Sequence, residues 1–549
     1  MQNILAVMTK DLEEQDNSVI IISDPLPEKT KFPKSGFCNG RLRYNLLMNI
    51  VICGLIVVPF FVPVIYSIGI QCYFSLQWFV FFLLYFINTI RIMNANKQKK
   101  RIKDKQKDKI ENLEINSNNT NLLESETSNT LIEQNQQKYK YKFIMMTFIY
   151  KEPIELLSNT LDNLKEMYGS NQIIVAVGFE ERTPDKEEKI NQLKQRFSKV
   201  FEELIITIHP FGVEGEIPGK CSNCNYVQRQ LVIHLEKTRT NFDINDYMLT
   251  NFDTDTRFQK NYLQMLEQQI KKKCKKPEDI HGIVWQPVLY YNWNLNSRTF
   301  FVRITSLLRN MLMMGALIPF QINVMSIFTF SLKLCVDGGY THPAYQMEDI
   351  ICFIRWFIKK KKKIKIKPVF SPTLSGPTSG HTFFEEVYEW ATQLKRWTIG
   401  SAEVFHYFIV HSKRTQPSFK YTLWGLSYFN YYALFMIGQS FFTISCAVAF
   451  TVFNQDELVG YKFYISVGTL GFQYLIYILM FIVNGASQYL LDPIREKEKF
   501  NFFLTLLHII FSPLTLIVYS MIAFYGLFEV IYKGKKACNH IASKKEELK

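Results

Sequence analysis

The chain has 549 residues, 48% of them hydrophobic, and carries 64 lysines and arginines against 49 acids, a net charge of +15. Its length allows roughly two to four domains, and its ten cysteines are scattered, several inside apolar runs, which excludes a disulfide framework. The averages conceal a segregation: long apolar runs alternate with very basic ones.

No cleavable signal peptide is expected, because the longest early apolar run, Val19–Ile22, is far too short for its core. Residues 1–43 read as a cytosolic tail. Leu46–Ile70 and Cys72–Ile90 each have about the 20 residues needed to cross a bilayer, and almost nothing lies between them. Residues 44–92 are therefore expected to form a transmembrane hairpin. Lys29, Lys31, Lys34, Arg41 and Arg43 precede it, and Arg91 and the run KQKKRIKDKQKDK (Lys97–Lys109) follow, which places both ends on the cytosolic side. Residues 93–138 are rich in Lys, Asn, Gln and Glu and lack aromatic side chains, the composition of a disordered linker. Its basic half also suits anionic lipid.

From 139 to 400 the texture is that of an α/β domain. Strands are expected at Tyr141–Tyr150, Gln172–Val177, Leu204–His209, Tyr247–Thr250 and Ile283–Pro287, with helices at Pro153–Tyr168 and Lys186–Val200. Strand–helix alternation at this spacing predicts a largely parallel, Rossmann-like mixed sheet whose ligands sit beyond the carboxyl ends of its strands. The apolar stretch near 299–336 begins FFVRITSLLRNML, an amphipathic pattern that suits a helix in the bilayer interface, with a core helix as the alternative. The lysine run Lys359–Lys363 and Ile364-Lys365-Ile366-Lys367 suit a sheet rim or a lipid-facing surface; no nucleic-acid partner is expected. Residues 401–424 read as a basic connector. Within 425–534, Tyr428–Phe453 and Phe463–Val483 each suit one span, and Phe502–Tyr532, interrupted by Pro513, suits two short passes or a re-entrant hairpin rather than one span, giving three to four spans. The basic residues 535–549 read as a cytosolic tail.

Chemistry concentrates at three places. At the end of Tyr247–Thr250 stand Asp253 and Asp255, one residue apart. In an extended backbone alternate side chains point the same way, so the two carboxylates can converge on Mg²⁺ or Mn²⁺, a hard cation whose remaining ligands are water and phosphate oxygens. A polar turn with two solvated aspartates is the alternative. Much later come Glu348-Asp349 and then Gln393-Leu394-Lys395-Arg396-Trp397. The lone pair Cys221 and Cys224 has neither a second pair nor a nearby histidine pair, so a zinc or redox site is not expected.

In this order, and flanked by apolar spans, the three signals resemble the D-x-D, E-D and Q-x-x-R-W signatures of membrane-embedded family 2 glycosyltransferases, the group of cellulose, chitin and hyaluronan synthases. The resemblance covers Tyr141 to the final spans. It implies a GT-A-like catalytic domain, cytosolic and embedded between α-helical transmembrane segments, that transfers sugar from a UDP-sugar to a β-linked glycan. Asp255, with Asp253 on the nucleotide side, would hold the divalent ion that neutralises the departing diphosphate. Asp349 matches the base position, and Arg396 would bind the diphosphate. Trp397 and Gln393 would receive the acceptor sugar.

Gly219-Lys220 resembles the family's nucleotide loop, although Asn223 stands where relatives usually carry alanine. Glu152 ends the first strand region without the usual preceding asparagine, and Glu180-Glu181 replace an aspartate that contacts uracil. Trp285 either lines the acceptor path or stiffens a strand. By the same resemblance the plasma membrane is favoured, with Golgi or endoplasmic reticulum as alternatives. Two other functions stay open: single-sugar transfer to a membrane lipid, as in ceramide glucosyltransferases, and a non-catalytic membrane scaffold or transporter. The sugar and the oligomeric state are not legible.

Overall fold

The structure, a computed structural model, describes residues 19–26, 45–116, 139–291, 295–412, 419–491 and 501–533. In chain order the elements are β1 (Val19–Ile22), α1 (Asn45–Phe61), α2 (Val64–Asn116), β2 (Lys142–Ile149), α3 (Ile154–Lys165), β3 (Ile173–Glu180), α4 (Lys186–Phe197), β4 (Glu203–His209), α5 (Lys220–Thr238) and β5 (Tyr247–Asn251). There follow α6 (Tyr262–Lys273), β6 (Ile283–Tyr290), α7 (Phe300–Leu317), β7 (Phe328–Ser331), α8 (Leu332–Asp337), α9 (Glu348–Lys360), β8 (Lys365–Leu374), α10 (Phe383–Ser412), α11 (Phe419–Phe453), α12 (Tyr461–Leu490) and α13 (Phe502–Lys533).

One mixed sheet organises the α/β domain, in the order β1-β4-β3-β2-β5-β7-β6-β8. The pairs from β1 to β5 are parallel, as is β6 with β8; only β7 runs against its neighbours. Parallel strands covered on both faces read as continuous apolar runs, and β3 (IIVAVGFE) is buried at every position. The expected strands and helices of the first half are all present, within a few residues of their predicted ends. α5 lies so close on β3 that a Cβ at Gly178 would stand 2.7 Å from both the Asn223 and Val227 side chains. Asn223 donates to the Gly178 carbonyl at 3.1 Å and so closes this helix–strand contact.

Several expectations are corrected. Val19–Ile22 is an edge strand paired with β4, so part of the N-terminal tail belongs to the domain. The first helical break falls at Val62-Pro63 and not near Gln71, because proline restricts both its own φ and the residue before it. α2 then runs to Asn116, through half of the stretch read as a disordered linker; residues 117–138 lie outside the described residues. The stretch near 299–336 is not one interfacial helix. Pro319 follows α7, Gln321 and Ser326 take positive φ, and β7 and α8 occupy the rest. α13 is one continuous helix with Pro513 inside it, so the two short passes are not formed. Residues 401–412 extend α10 and 419–424 begin α11, leaving 413–418 of the expected connector, together with 1–18, 27–44, 492–500 and 534–549, outside the described residues.

Among the described residues, five helices are long and apolar enough to cross a membrane: Val64–Lys97 of α2, α7, α11, Tyr461–Ser487 of α12, and α13. α7 differs from the rest, since 78% of its apolar window is buried within the protein against 17% for α13. It is a core helix wedged between the sheet and the apolar bundle. Outward-facing Phe463, Val467, Leu475 and Ile482 on α12 are exposed, an arrangement that calls for an apolar surrounding.

The crossing of α7 and α2 depends on one glycine. α7 ends in a wider π-type turn, Met313–Leu317; the Met314 carbonyl accepts from Asn88 of α2 at 2.8 Å, and a Cβ at Gly315 would stand 2.1 Å from the Phe81 carbonyl oxygen. Backbone cannot yield as a flexible side chain would. Gly315→Val is expected to destabilise the chain by about 2 kcal/mol or more, seen as a lowered melting temperature in detergent. Gly468→Val, at a position with nothing within 4 Å, is the matched control and should not lower the melting temperature.

Candidate functional site

The carboxyl ends of β2, β3 and β5 open on a cavity of about 160 Å³. Gly219, at φ 147° and ψ −168°, holds a conformation that residues with a Cβ rarely adopt and so starts α5 with Lys220 facing the cavity. The Lys220 ammonium contacts Asp253 Oδ1 at 2.6 Å and also Glu348 Oε1. Burial alone would lower its proton affinity, but these two carboxylates hold it well above the ordinary lysine value. Glu348, at the first turn of α9, is thus buried and paired.

The aspartate pair differs from expectation. β5 ends at Asn251, and Asp253–Asp255 lie in the following turn, so strand alternation does not aim both carboxylates alike. Asp253 faces the cavity. Asp255 is buried behind it, accepting from the Gly376 N–H at 3.0 Å and the Ser375 hydroxyl at 3.3 Å. A Cβ at Gly376 would stand 2.8 Å from Asp255 Oδ2, so any larger residue there would displace that carboxylate. Among the described residues no group of three or more His, Cys, Asp or Glu side chains forms a metal cage. A carboxylate on the cavity wall with a second behind it nevertheless fits a hard cation that takes one or two protein oxygens and completes its shell with phosphate and water.

α9 begins beneath this cavity. The Asp349 carboxylate accepts from the Ser326 N–H at 3.2 Å and the Ile350 N–H at 2.9 Å, and Ser326 holds a positive φ of 41° to reach it. Burial first, and the neighbouring Glu348 charge second, push the Asp349 carboxyl up to about 7, against the pull of Lys220. From the other side α10 brings Gln393, Arg396 and Trp397. Gln393 accepts from the Thr378 hydroxyl at 2.6 Å. Arg396 is half-buried on the cavity wall; the loss of hydration there lowers its proton affinity, and the charges of Glu348, Asp253 and Glu152 oppose that. Glu152 accepts from the Tyr150 N–H at 2.8 Å, and Glu180 pairs with Arg182 at 2.8 Å; both line the cavity.

Trp285 is a correction. It is fully buried in β6 and lines neither this cavity nor its neighbour, the placement of a side chain that stiffens the strand. Cys221 and Cys224 are buried on α5, and burial pushes both thiols up, Cys224 to about 12. They are neutral packing groups.

Sequence reasoning missed Arg309 on α7. Its guanidinium lies 3.6 Å from the Tyr291 ring and 4.2 Å from the Trp397 ring, sandwiched between the two. Arg309, Ser326, Met347, Asp349 and Trp397 form a wall shared with a second cavity of about 290 Å³. That cavity lies among α2, α7, α11, α12 and α13. It is lined by rings (Trp78, Tyr431, Tyr432, Tyr477) and a few amides such as Gln439 and Gln473. The one signal for Arg309 was a cation in an otherwise apolar run, a pattern equally suited to a bilayer interface. Ser375-Gly376, the partners of Asp255, carried no signal beyond a turn-forming sequence.

No family model matches the chain, and no curated protein sequence matches it. Among solved structures it is similar to the mannosyltransferase PcManGT from Pyrobaculum calidifontis in complex with GDP-Man and Mn²⁺, at 12% identity and a TM-score of 0.34 over 70% of this chain and 88% of that one. It is also similar to residues 1–349 of S. aureus TarS in complex with UDP-GlcNAc, at 10% identity and a TM-score of 0.30 over 69% of this chain and 90% of that one.

Proposed function

We propose that the chain is a GT-A-like, divalent-cation-dependent glycosyltransferase that inverts configuration, adding sugar from a UDP-sugar to a growing β-linked glycan at the cytosolic face of a membrane. The supporting observation is the meeting of Lys220, Asp253, Glu348, Asp349, Arg396 and Trp397 around one cavity that shares a wall with a second, ring-lined one. These residues come from four separated chain segments.

In this reading Lys220 and Arg396 receive the diphosphate, for which a planar five-donor guanidinium is well matched. Mg²⁺ or Mn²⁺ at Asp253, with Asp255 behind, would supply further neutralisation of the leaving group. Glu180 and Glu152 border the nucleotide end. Asp349 accepts the proton of the acceptor hydroxyl as that oxygen bonds to the anomeric carbon. The bond from that carbon to the diphosphate oxygen breaks, and its electron pair leaves with UDP. A carboxylate that binds its proton near neutral pH is a stronger base than an ordinary aspartate. Trp397 offers a ring face to the acceptor sugar, kept in place by Arg309, and Gln393, its carbonyl held by Thr378, turns its amide N–H groups to sugar hydroxyls.

The second cavity would receive the lengthening chain, since ring faces with scattered amides suit pyranose rings. Its predominantly apolar walls also support a second reading, a lipid acceptor that takes a single sugar. Product size separates the two: a polymer ladder or one glycolipid.

Purified protein supplied with a panel of UDP-sugars and Mg²⁺ or Mn²⁺ is expected to release UDP with at least one donor; absence of release with all of them would overturn the enzyme reading. Asp349→Asn should lower transfer by about 10³-fold, within the range of general-base contributions, while UDP binding by calorimetry stays within about twofold. The pH profile follows from the same carboxyl. The base works only when deprotonated, so kcat/KM should rise with pH through about 7 and fall tenfold per unit below it. Glu348→Gln removes one of the two causes of that elevation, and the acid limb should move to lower pH. Arg396→Ala should cost about 10²-fold in kcat, with Arg396→Lys recovering only part.

A further inference from the structure

Two lysine-rich segments, distant in sequence, meet on one face of the α/β domain. The last turn of α6 and its exit carry Lys271–Lys273, Lys275 and Lys276, all exposed. The end of α9 and the start of β8 carry Lys359–Lys363, Lys365 and Lys367. α6 packs on β8, and β8 pairs with β6 from Ile283↔Lys365 onwards, which sets the turn before β6 beside the lysine run. Neighbouring charges register the proximity. Partial burial and then Lys273 and Lys365 lower the proton affinity of Lys367. Asp279 accepts from the Lys275 and Lys276 N–H groups at 3.0 Å each, and those bonds with the Lys276 and Lys362 charges hold its carboxyl low.

This face adjoins the apolar helices. Ile366, between two of the lysines, exchanges hydrogen bonds with Gln321 at 2.6 and 3.0 Å. The adjacent Phe320, 47% exposed, packs edge-on against Phe81 of α2 at 5.7 Å. Just before the lysine run, Phe357 stacks on Tyr421 at 5.6 Å and packs against Trp424 at 5.4 Å, both in the first turns of α11. The lysines therefore stand where α2 and α11 meet the domain. Lysines on the edge strand β8 would also block edge-to-edge pairing, but that accounts for Lys365 and Lys367 and leaves those of α6 and α9 unexplained.

We infer that this face docks the anionic headgroups of the bilayer into which the apolar helices insert, with Lys271–Lys276 and Lys359–Lys367 as the contact. Each lysine near a negatively charged leaflet adds attraction, which fades within a Debye length of about 8 Å. The inference rests on reading α2 and α11–α13 as membrane spans and is independent of sugar transfer. To test it, the full chain is reconstituted in nanodiscs of equal parts phosphatidylcholine and phosphatidylserine and moved to neutral detergent, and the lipid it retains is measured by mass spectrometry. Phosphatidylserine should be retained about tenfold over phosphatidylcholine. A variant with Lys272→Gln, Lys273→Gln, Lys361→Gln, Lys362→Gln and Lys363→Gln, all at exposed positions, should lose most of that preference, as should the wild type in high salt. Equal retention by variant and wild type overturns the inference. So does tighter, lysine-dependent binding of a short single-stranded oligonucleotide that displaces the lipid, which would make the face a nucleic-acid site. Release of the chain from membranes by alkaline carbonate without detergent would instead overturn the spans, a failure distinguishable from both.

Discussion

The Lys220 ammonium, held between Asp253 and Glu348, is the interaction on which the site depends. It joins the start of α5, the turn after β5 and the start of α9, three segments that nothing in the local sequence brings together. The lysine is largely buried, and a buried ammonium persists as a cation only where carboxylates compensate its lost hydration. The same two acids would be costly beside each other without it. The cluster is therefore self-consistent as a unit, and any one member removed leaves an uncompensated charge in the others.

That unit also sets the behaviour of Asp349. Loss of hydration first, and then the charge of Glu348 held beside it against Lys220, make Asp349 hold its proton more tightly than an ordinary aspartate. Backbone N–H groups from Ser326 and Ile350 fix its orientation. One cation thus places a carboxylate pair in which the first pairs with Lys220 and the second, in the proposed reading, is the base. Gly400 on α10 completes the arrangement: a Cβ there would strike the Met347 side chain, so α10 reaches the loop before α9 closely enough to present Arg396 opposite.

Much of this was legible in sequence, and the limits are physical. The buried parallel strands β2 to β5 announce themselves as unbroken apolar runs, and the apolar helices by length. The pairs Asp253/Asp255 and Glu348/Asp349, with Gln393, Arg396 and Trp397, were found by type and order. The orientation of the first pair was not, because it depends on the strand ending at Asn251 rather than running to Asp255. Trp285 misled for a related reason: an aromatic residue on a strand has the same appearance whether it faces ligand or core. β1 was hidden by its shortness, since four apolar residues form a strand only because β4 offers an open edge. Arg309 was hidden because amphipathic periodicity identifies a face but not what covers it, here protein on nearly every side.

Arg309 also ties the polar cavity to the apolar one. The Arg309 guanidinium rests over two aromatic faces, and the stacking fixes the planes of Tyr291 and Trp397 relative to α7. α7 is in turn fixed to α2 by the backbone approach at Gly315. Trp397, which in the proposed reading meets the acceptor, is therefore indexed to the apolar bundle as well as to the sheet. An acceptor resting on that ring would have its reacting hydroxyl set by the domain and its far end by the helices, so the length and shape of the second cavity, more than the first, would decide how many sugars it can hold.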